Sequence, residues 1–201
     1  MSRPQPVTAP PVPQLRVDYV HASDAQALLG EDVLAVLGFG DAAPASLPDP
    51  RYLRVPLQPH DGAPYEVWHT GRPVRSGRDG EIRWATDGAL TFGVIEVAED
   101  HGIISAAAHA YERLTAFVRD GGTPHLLRIW NYLDAITQGD GDAERYRQFC
   151  IGRAQGLGTF DPTRLPAATA IGRCDDDRVL QIYWLSANAP SPRARPTQNC
   201  R

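Results

Sequence analysis

The sequence predicts an α+β protein, a mixed sheet carrying two helices on one face, and three observations support that expectation. Two Asp-Gly dipeptides, Asp79-Gly80 and Asp87-Gly88, separate short strand-like runs and accept the positive φ angles of tight hairpin turns. From Ile103 to Val118, apolar residues recur at helical spacing on one face. A second helical stretch, near 142–158, lies between strand-like runs at 125–136 and 166–172.

Residues 1–13 hold five prolines and read as a disordered or extended arm. Residues 14–70 read as an N-terminal extension of short strands and one helix. In it, Leu15–His21 alternates like a strand, Asp24–Leu37 reads as the helix, and Arg51–Leu57 and Tyr65–Thr70 read as strands. Residues 71–189 form the main domain, with three antiparallel strands near 72–76, 81–86 and 89–98. The helix at 103–118 stops at Asp120-Gly121-Gly122, where glycine can take the left-handed cap conformation. A strand follows over 125–136, and then a second helix capped by Asp142 and running to about Gly158. Two strands, 166–172 and 178–187, flank the acidic turn Asp175-Asp176-Asp177, which reads as a solvated hairpin turn. Residues 190–201 have no periodicity and read as a truncated or frameshifted tail. Helices that connect strands of one sheet pack on one face, so the order βββαβαββ implies a two-layer sandwich. That order resembles the YjgF or RidA-like fold.

Composition excludes several functions. All 20 basic residues are arginine, scattered along a chain of net charge -4, so no basic patch marks a nucleic-acid surface. With no lysine there is no Schiff-base nucleophile. The N-terminus lacks the apolar core of a signal peptide, and no apolar run approaches the roughly 18 residues of a membrane span. Cys150, Cys174 and Cys200 form neither a C-x-x-C pair nor a disulfide framework, which suits a cytoplasmic protein. The histidines show no metal-ligand spacing, G-F-G and G-L-G are not nucleotide fingerprints, and there is no G-x-S-x-G elbow. No metal or cofactor is expected.

The most informative stretch is 128–157. On the strand, Leu127, Ile129, Asn131 and Leu133 share one face, and Arg128, Trp130 and Tyr132 the other. Asn131 is therefore an amide in an apolar row, either satisfied by backbone or facing a ligand. On the helix, Tyr146, Phe149, Cys150, Arg153 and Leu157 fall within an arc of roughly 100°. Arg153 thus belongs to the inward stripe and needs an anionic or carbonyl partner: an internal ion pair, or a substrate carboxylate gripped by the guanidinium fork. Arg145 and Arg147 flank the stripe. Cys150 reads as a small buried hydrophobe.

The run "RIWNYL…GDGDAERYRQFCIGRA" resembles the chorismatase family, also described as pteridine-dependent dioxygenases, and "LPAATAIG" and "LQIYWLSA" extend the resemblance across most of residues 15–189. The resemblance implies hydrolysis of chorismate to pyruvate and a hydroxybenzoate or dihydroxycyclohexadiene carboxylate. It implies substrate-binding roles for Asn131, Tyr146, Arg147 and Arg153. It also implies a second half, with a late glutamate as general acid, for which this sequence shows no counterpart, so no catalytic residue is assigned. Hydrolysis of the enolpyruvyl ether needs a proton delivered to its methylene carbon and arginines to hold two carboxylates. This chain then reads as an N-terminal portion with chorismate as substrate of the full-length family, and an uncovered edge or face is expected to drive self-association. The alternatives are a non-catalytic YjgF-like binding or oligomerisation module, and a RidA-type imine deaminase using Arg153 or Arg128.

Overall fold

A computed structural model describes residues 14–59, 62–159 and 166–190. The proline-rich arm lies outside these residues, as does the tail beyond Pro190.

Four strands form a first sheet: β1 (Arg16–Val20), β2 (Val33–Phe39), β3 (Tyr52–Val55) and β4 (Tyr65–His69), in the order β1-β4-β2-β3. The helix expected over Asp24–Leu37 is not there. A single 3-10 turn at Gln26–Leu28, opened by the Asp24 carboxylate accepting the Gln26 amide at 2.9 Å, leads instead into β2. Both faces of β2 are covered, so Val33 to Leu37 are all buried and the run has no alternation. A short, continuous apolar run of this kind does not distinguish a buried strand from a helix.

Six further strands build the second sheet: β5 (Arg75–Asp79), β6 (Ile82–Thr86), β7 (Leu90–Ala98), β8 (His125–Asp134), β9 (Ala167–Arg173) and β10 (Val179–Ala187). Their order is β5-β6-β7-β10-β8-β9, antiparallel except for the β8–β9 pair. The first of these strands sits three residues later than expected. The amides of Thr70 and Val74 bond back to Asp32 and Glu31, so the chain around residue 72 belongs to the link between the sheets. Strands β9 and β10 are not a hairpin, because β8 lies between them. Arg173, 4% exposed, braces the connection by donating to the Asp177 and Val179 carbonyls and pairing with Asp175 at 3.4 Å.

Helices α1 (Gly102–Asp120) and α2 (Arg145–Leu157) lie together on one face of the six-stranded sheet, in the expected βββαβαββ order. Helix α1 buries Ile103, Ala106, Ala107, Ala110, Tyr111, Leu114 and Val118, a helical stripe seated on Ile95, Ile129, Ile182 and Trp184. Two terminal details differ from expectation. Gly121 ends α1 in extended rather than left-handed conformation. Asp142 does not cap α2; the cap residue is Glu144, without a side-chain bond, and Asp142 pairs with Arg147.

The other face of the six-stranded sheet is covered by the first sheet. Leu34, Leu37, Leu53 and Trp68 pack there against Phe92, Tyr132, Tyr183 and Leu185. Trp130 stacks on Tyr183 at 4.8 Å and 18°, and Trp68 meets Trp130 at 5.5 Å. The N-terminal extension is thus a third layer, giving helices, six-stranded sheet and four-stranded sheet in succession.

Candidate functional site

Helix α2 owes its close seat on α1 to two glycines. A Cβ on Gly152 would lie 2.2 Å from the Ile104 carbonyl oxygen, and one on Gly156 would lie 2.3 Å from that of Ala108. This approach brings the inward side of α2 over Tyr111.

Tyr111 joins residues that the sequence singles out separately. Asn131, on the helix side of β8, is 1% exposed. Its side-chain oxygen accepts the Tyr111 hydroxyl at 2.8 Å, and its amide donates to the Thr169 carbonyl of β9 at 2.9 Å. Burial pushes the Tyr111 phenol up to about 12, with Arg153 and the Asn131 hydrogen bond acting in the opposite direction. The Tyr111 ring carries the Arg153 guanidinium at 5.5 Å and meets Phe149 edge-on at 6.3 Å. Arg153 is half-buried, and its Nε has no hydrogen-bond partner among the described residues.

Tyr146 lies further along the same stripe, but at 43% exposure it forms the rim of this group rather than part of the core. It stacks on Phe149 at 6.4 Å, and its phenol is pushed up chiefly by the neighbouring Cys150 thiol. Arg147 points elsewhere: its side chain is 57% exposed and pairs with Asp142 at 3.2 Å and Glu144 at 3.4 Å. The structure therefore links Asn131, Arg153 and Tyr146 through Tyr111 and Phe149, and leaves Arg147 outside. Tyr111 appears in the sequence only as a core residue of α1; the signal for its role is a phenol on a helix stripe facing an amide on a strand.

The face assignments on β8 hold from Arg128 to Leu133 and fail at Leu127. The pairing slips between Leu185 and Ser186, so β8 carries one extra residue there. Leu127 consequently packs toward the first sheet and Leu126 toward the helices.

A second polar group at the end of β8 is not evident from the sequence. Arg145 donates to both oxygens of the buried Glu99, at 2.9 and 2.7 Å, and to the Asp134 carbonyl at 3.1 Å. Asp134 is 1% exposed, with Arg178 as its nearest cation at 3.5 Å, and Ala135 after it has φ 47°. Each buried carboxylate faces a guanidinium, as in a structural ion pair. Among the described residues, no three His, Cys, Asp or Glu side chains gather as a metal site would require, and no helix is long and apolar enough to cross a membrane.

Comparison with known proteins adds a family context to this geometry. A family model described as chorismatase FkbO/Hyg5-like, N-terminal, matches residues 66–186. A chorismatase of Streptomyces hygroscopicus is 45% identical over 115 residues, which cover 56% of this chain and 33% of that protein. A chorismatase of Streptomyces rapamycinicus is 35% identical over 127 residues, covering 62% and 37%. A chorismatase crystal structure superposes with a TM-score of 0.71 at 35% identity, covering 89% of this chain and 54% of that one. The matched region spans about a third of the length of these curated relatives.

Proposed function

We infer, from the premise that this chain belongs to the FkbO/Hyg5-like chorismatase family and carries its N-terminal domain, that it forms the N-terminal structural unit of a chorismate hydrolase. In this reading Arg153 is the anion-binding group of the unit. The observation that carries the role is its half-buried guanidinium, held over Tyr111 at 5.5 Å with an Nε that has no partner among the described residues. A guanidinium in that position suits one carboxylate of a dianion such as chorismate. Tyr146 would contact substrate from the rim of α2, and Arg147 would do so only by leaving its Asp142 and Glu144 pairs. Asn131, with both amide atoms occupied, would act as a positioning residue by fixing the Tyr111 ring beneath Arg153.

Hydrolysis also needs a proton donor, and the two carboxylates buried near α2, Glu99 and Asp134, each face an arginine. We therefore assign binding and scaffolding to this chain, and proton delivery to the part of the relatives that it does not match. A cytoplasmic location belongs to the same proposal, and Cys150 and Cys174 as free thiols support it.

The test is incubation of the purified chain with chorismate, coupling any pyruvate to lactate dehydrogenase, alongside titration calorimetry with chorismate. The expected result is negligible pyruvate release, with binding that Arg153→Ala weakens about tenfold or more, the value of a lost charge-assisted hydrogen bond. Robust pyruvate release that disappears in Arg153→Ala would overturn the division of roles.

One observation favours a second reading, a self-associating module. The edge strand β1 and the residue before it expose a row of Leu15, Val17 and Tyr19, at 37%, 39% and 68% exposure. A monomer by light scattering at high concentration would count against this reading.

A further inference from the structure

The seam between the two sheets gathers three arginines around one pocket, two with a carboxylate partner and one, Arg78, exposed and without one among the described residues. Arg78 on β5 and Arg83 on β6 are direct cross-strand partners. Like charges directly opposite each other on antiparallel strands repel. Both lie on the sheet face that bears Ala85, which packs against the first sheet. Arg54 on β3 approaches from that first sheet. Together with Ser46, Tyr52 and Glu96, the three arginines line a pocket of about 220 Å³.

The available counter-charge is already occupied. Glu96 is the sole carboxylate in the lining, and both its oxygens are engaged: one accepts from Gln181 at 2.9 Å, the other from Arg83 at 2.5 Å. Gln181 is 3% exposed, and the same amide nitrogen also donates to the Arg54 carbonyl at 3.0 Å, which fixes it against Glu96. Arg54 has Asp41 at 3.0 Å, but the Asp41 side chain is 89% exposed and lies outside the pocket. Arg78 is exposed and has no ion pair among the described residues. The Arg83 side chain is only 14% exposed and is held by Glu96 and by donation to the Tyr52 carbonyl at 2.7 Å, so its guanidinium is fixed at the pocket wall.

We propose that this inter-sheet pocket binds a compact dianion, through guanidinium contacts from Arg78, Arg83 and Arg54. Phosphoryl groups and small dicarboxylates share the required chemistry, since each presents paired oxygens to a guanidinium fork. A dianion there would supply Arg78 with the counter-charge it lacks and add a second charge-assisted contact at Arg83 beside its Glu96 pair.

The test is titration calorimetry of the full chain at low ionic strength and mildly alkaline pH, with inorganic phosphate in one arm and malonate in the other. Saturable binding of either supports the site, and the arm that binds identifies the anion's chemistry. Arg78→Ser should weaken binding about tenfold or more, and Arg78→Lys should retain part of it. Arg75→Ser, an exposed arginine on the opposite face of the same strand, should leave it unchanged. Absence of saturable binding in both arms would overturn the proposal. So would an Arg78→Ser variant that binds normally, or an equal loss in Arg75→Ser, which would indicate diffuse attraction to surface arginines.

Discussion

Replacing Asn131 with alanine tests whether this amide acts as a structural tie. The substitution removes two hydrogen bonds, one from the Tyr111 hydroxyl at 2.8 Å and one to the Thr169 carbonyl at 2.9 Å. Each is worth about 1 kcal/mol net. The larger cost comes from Tyr111, which is 0% exposed and would keep a buried hydroxyl without an acceptor. Such a group costs about 1–3 kcal/mol. Thr169 is half-buried on the edge strand β9, where water can replace the lost donor. The expected destabilisation is therefore about 2–4 kcal/mol. Tyr111→Phe should cost less, about 1–2 kcal/mol, because it leaves the Thr169 bond in place. The two changes should couple by about 1 kcal/mol or more in a double-mutant cycle. Urea unfolding followed by tryptophan fluorescence measures all three values. A loss below about 0.5 kcal/mol for Asn131→Ala, with no coupling to Tyr111, would refute the structural tie.

The buried and surface arginines of α2 should respond very differently to removal. Arg145→Ala strands the Glu99 carboxylate, whose side chain is 2% exposed, and should cost about 3–5 kcal/mol in the same unfolding assay. Arg147→Ala breaks only exposed pairs and should cost at most about 1 kcal/mol; similar losses for the two would contradict the burial difference. Tyr52 and Tyr111 have phenols pushed up to about 12 by burial, against an ordinary value near 10. Between about pH 10 and 12 the unfolded chain releases these protons while the folded chain retains them, so stability should fall with rising pH across that window. Phenolate absorbance recorded alongside circular dichroism checks this, and ionisation of both phenols at the ordinary value in the folded protein would contradict it.

Local chemistry made much of the second sheet legible in the sequence. Asp79-Gly80 and Asp87-Gly88 mark its first two turns, and the stripe on α1 has the 3.6-residue period of a helix with one buried face. Asn131 and Arg153 stand out because each is polar within an otherwise apolar pattern, a contrast that survives without knowledge of the fold. The expectation failed where both sides of a segment are covered. Val33–Leu37 lost its periodicity because a sheet lies on one face and loops on the other, and it therefore read as helix. The place of β10 between β7 and β8 was equally hidden, since strand order depends on long-range pairing.

The same division applies to the arginines. Amino-acid order alone identified the α+β class, the helix stripe with Arg153 and the resemblance to chorismatases, because these depend on residues near one another along the chain. Tertiary contacts placed Arg153 over Tyr111, secured Tyr111 through Asn131, buried Glu99 beside Arg145, and gathered Arg54 with Arg78 and Arg83 at the seam between sheets. Each of those outcomes depends on residues brought together from separate elements, which periodicity along the chain does not record.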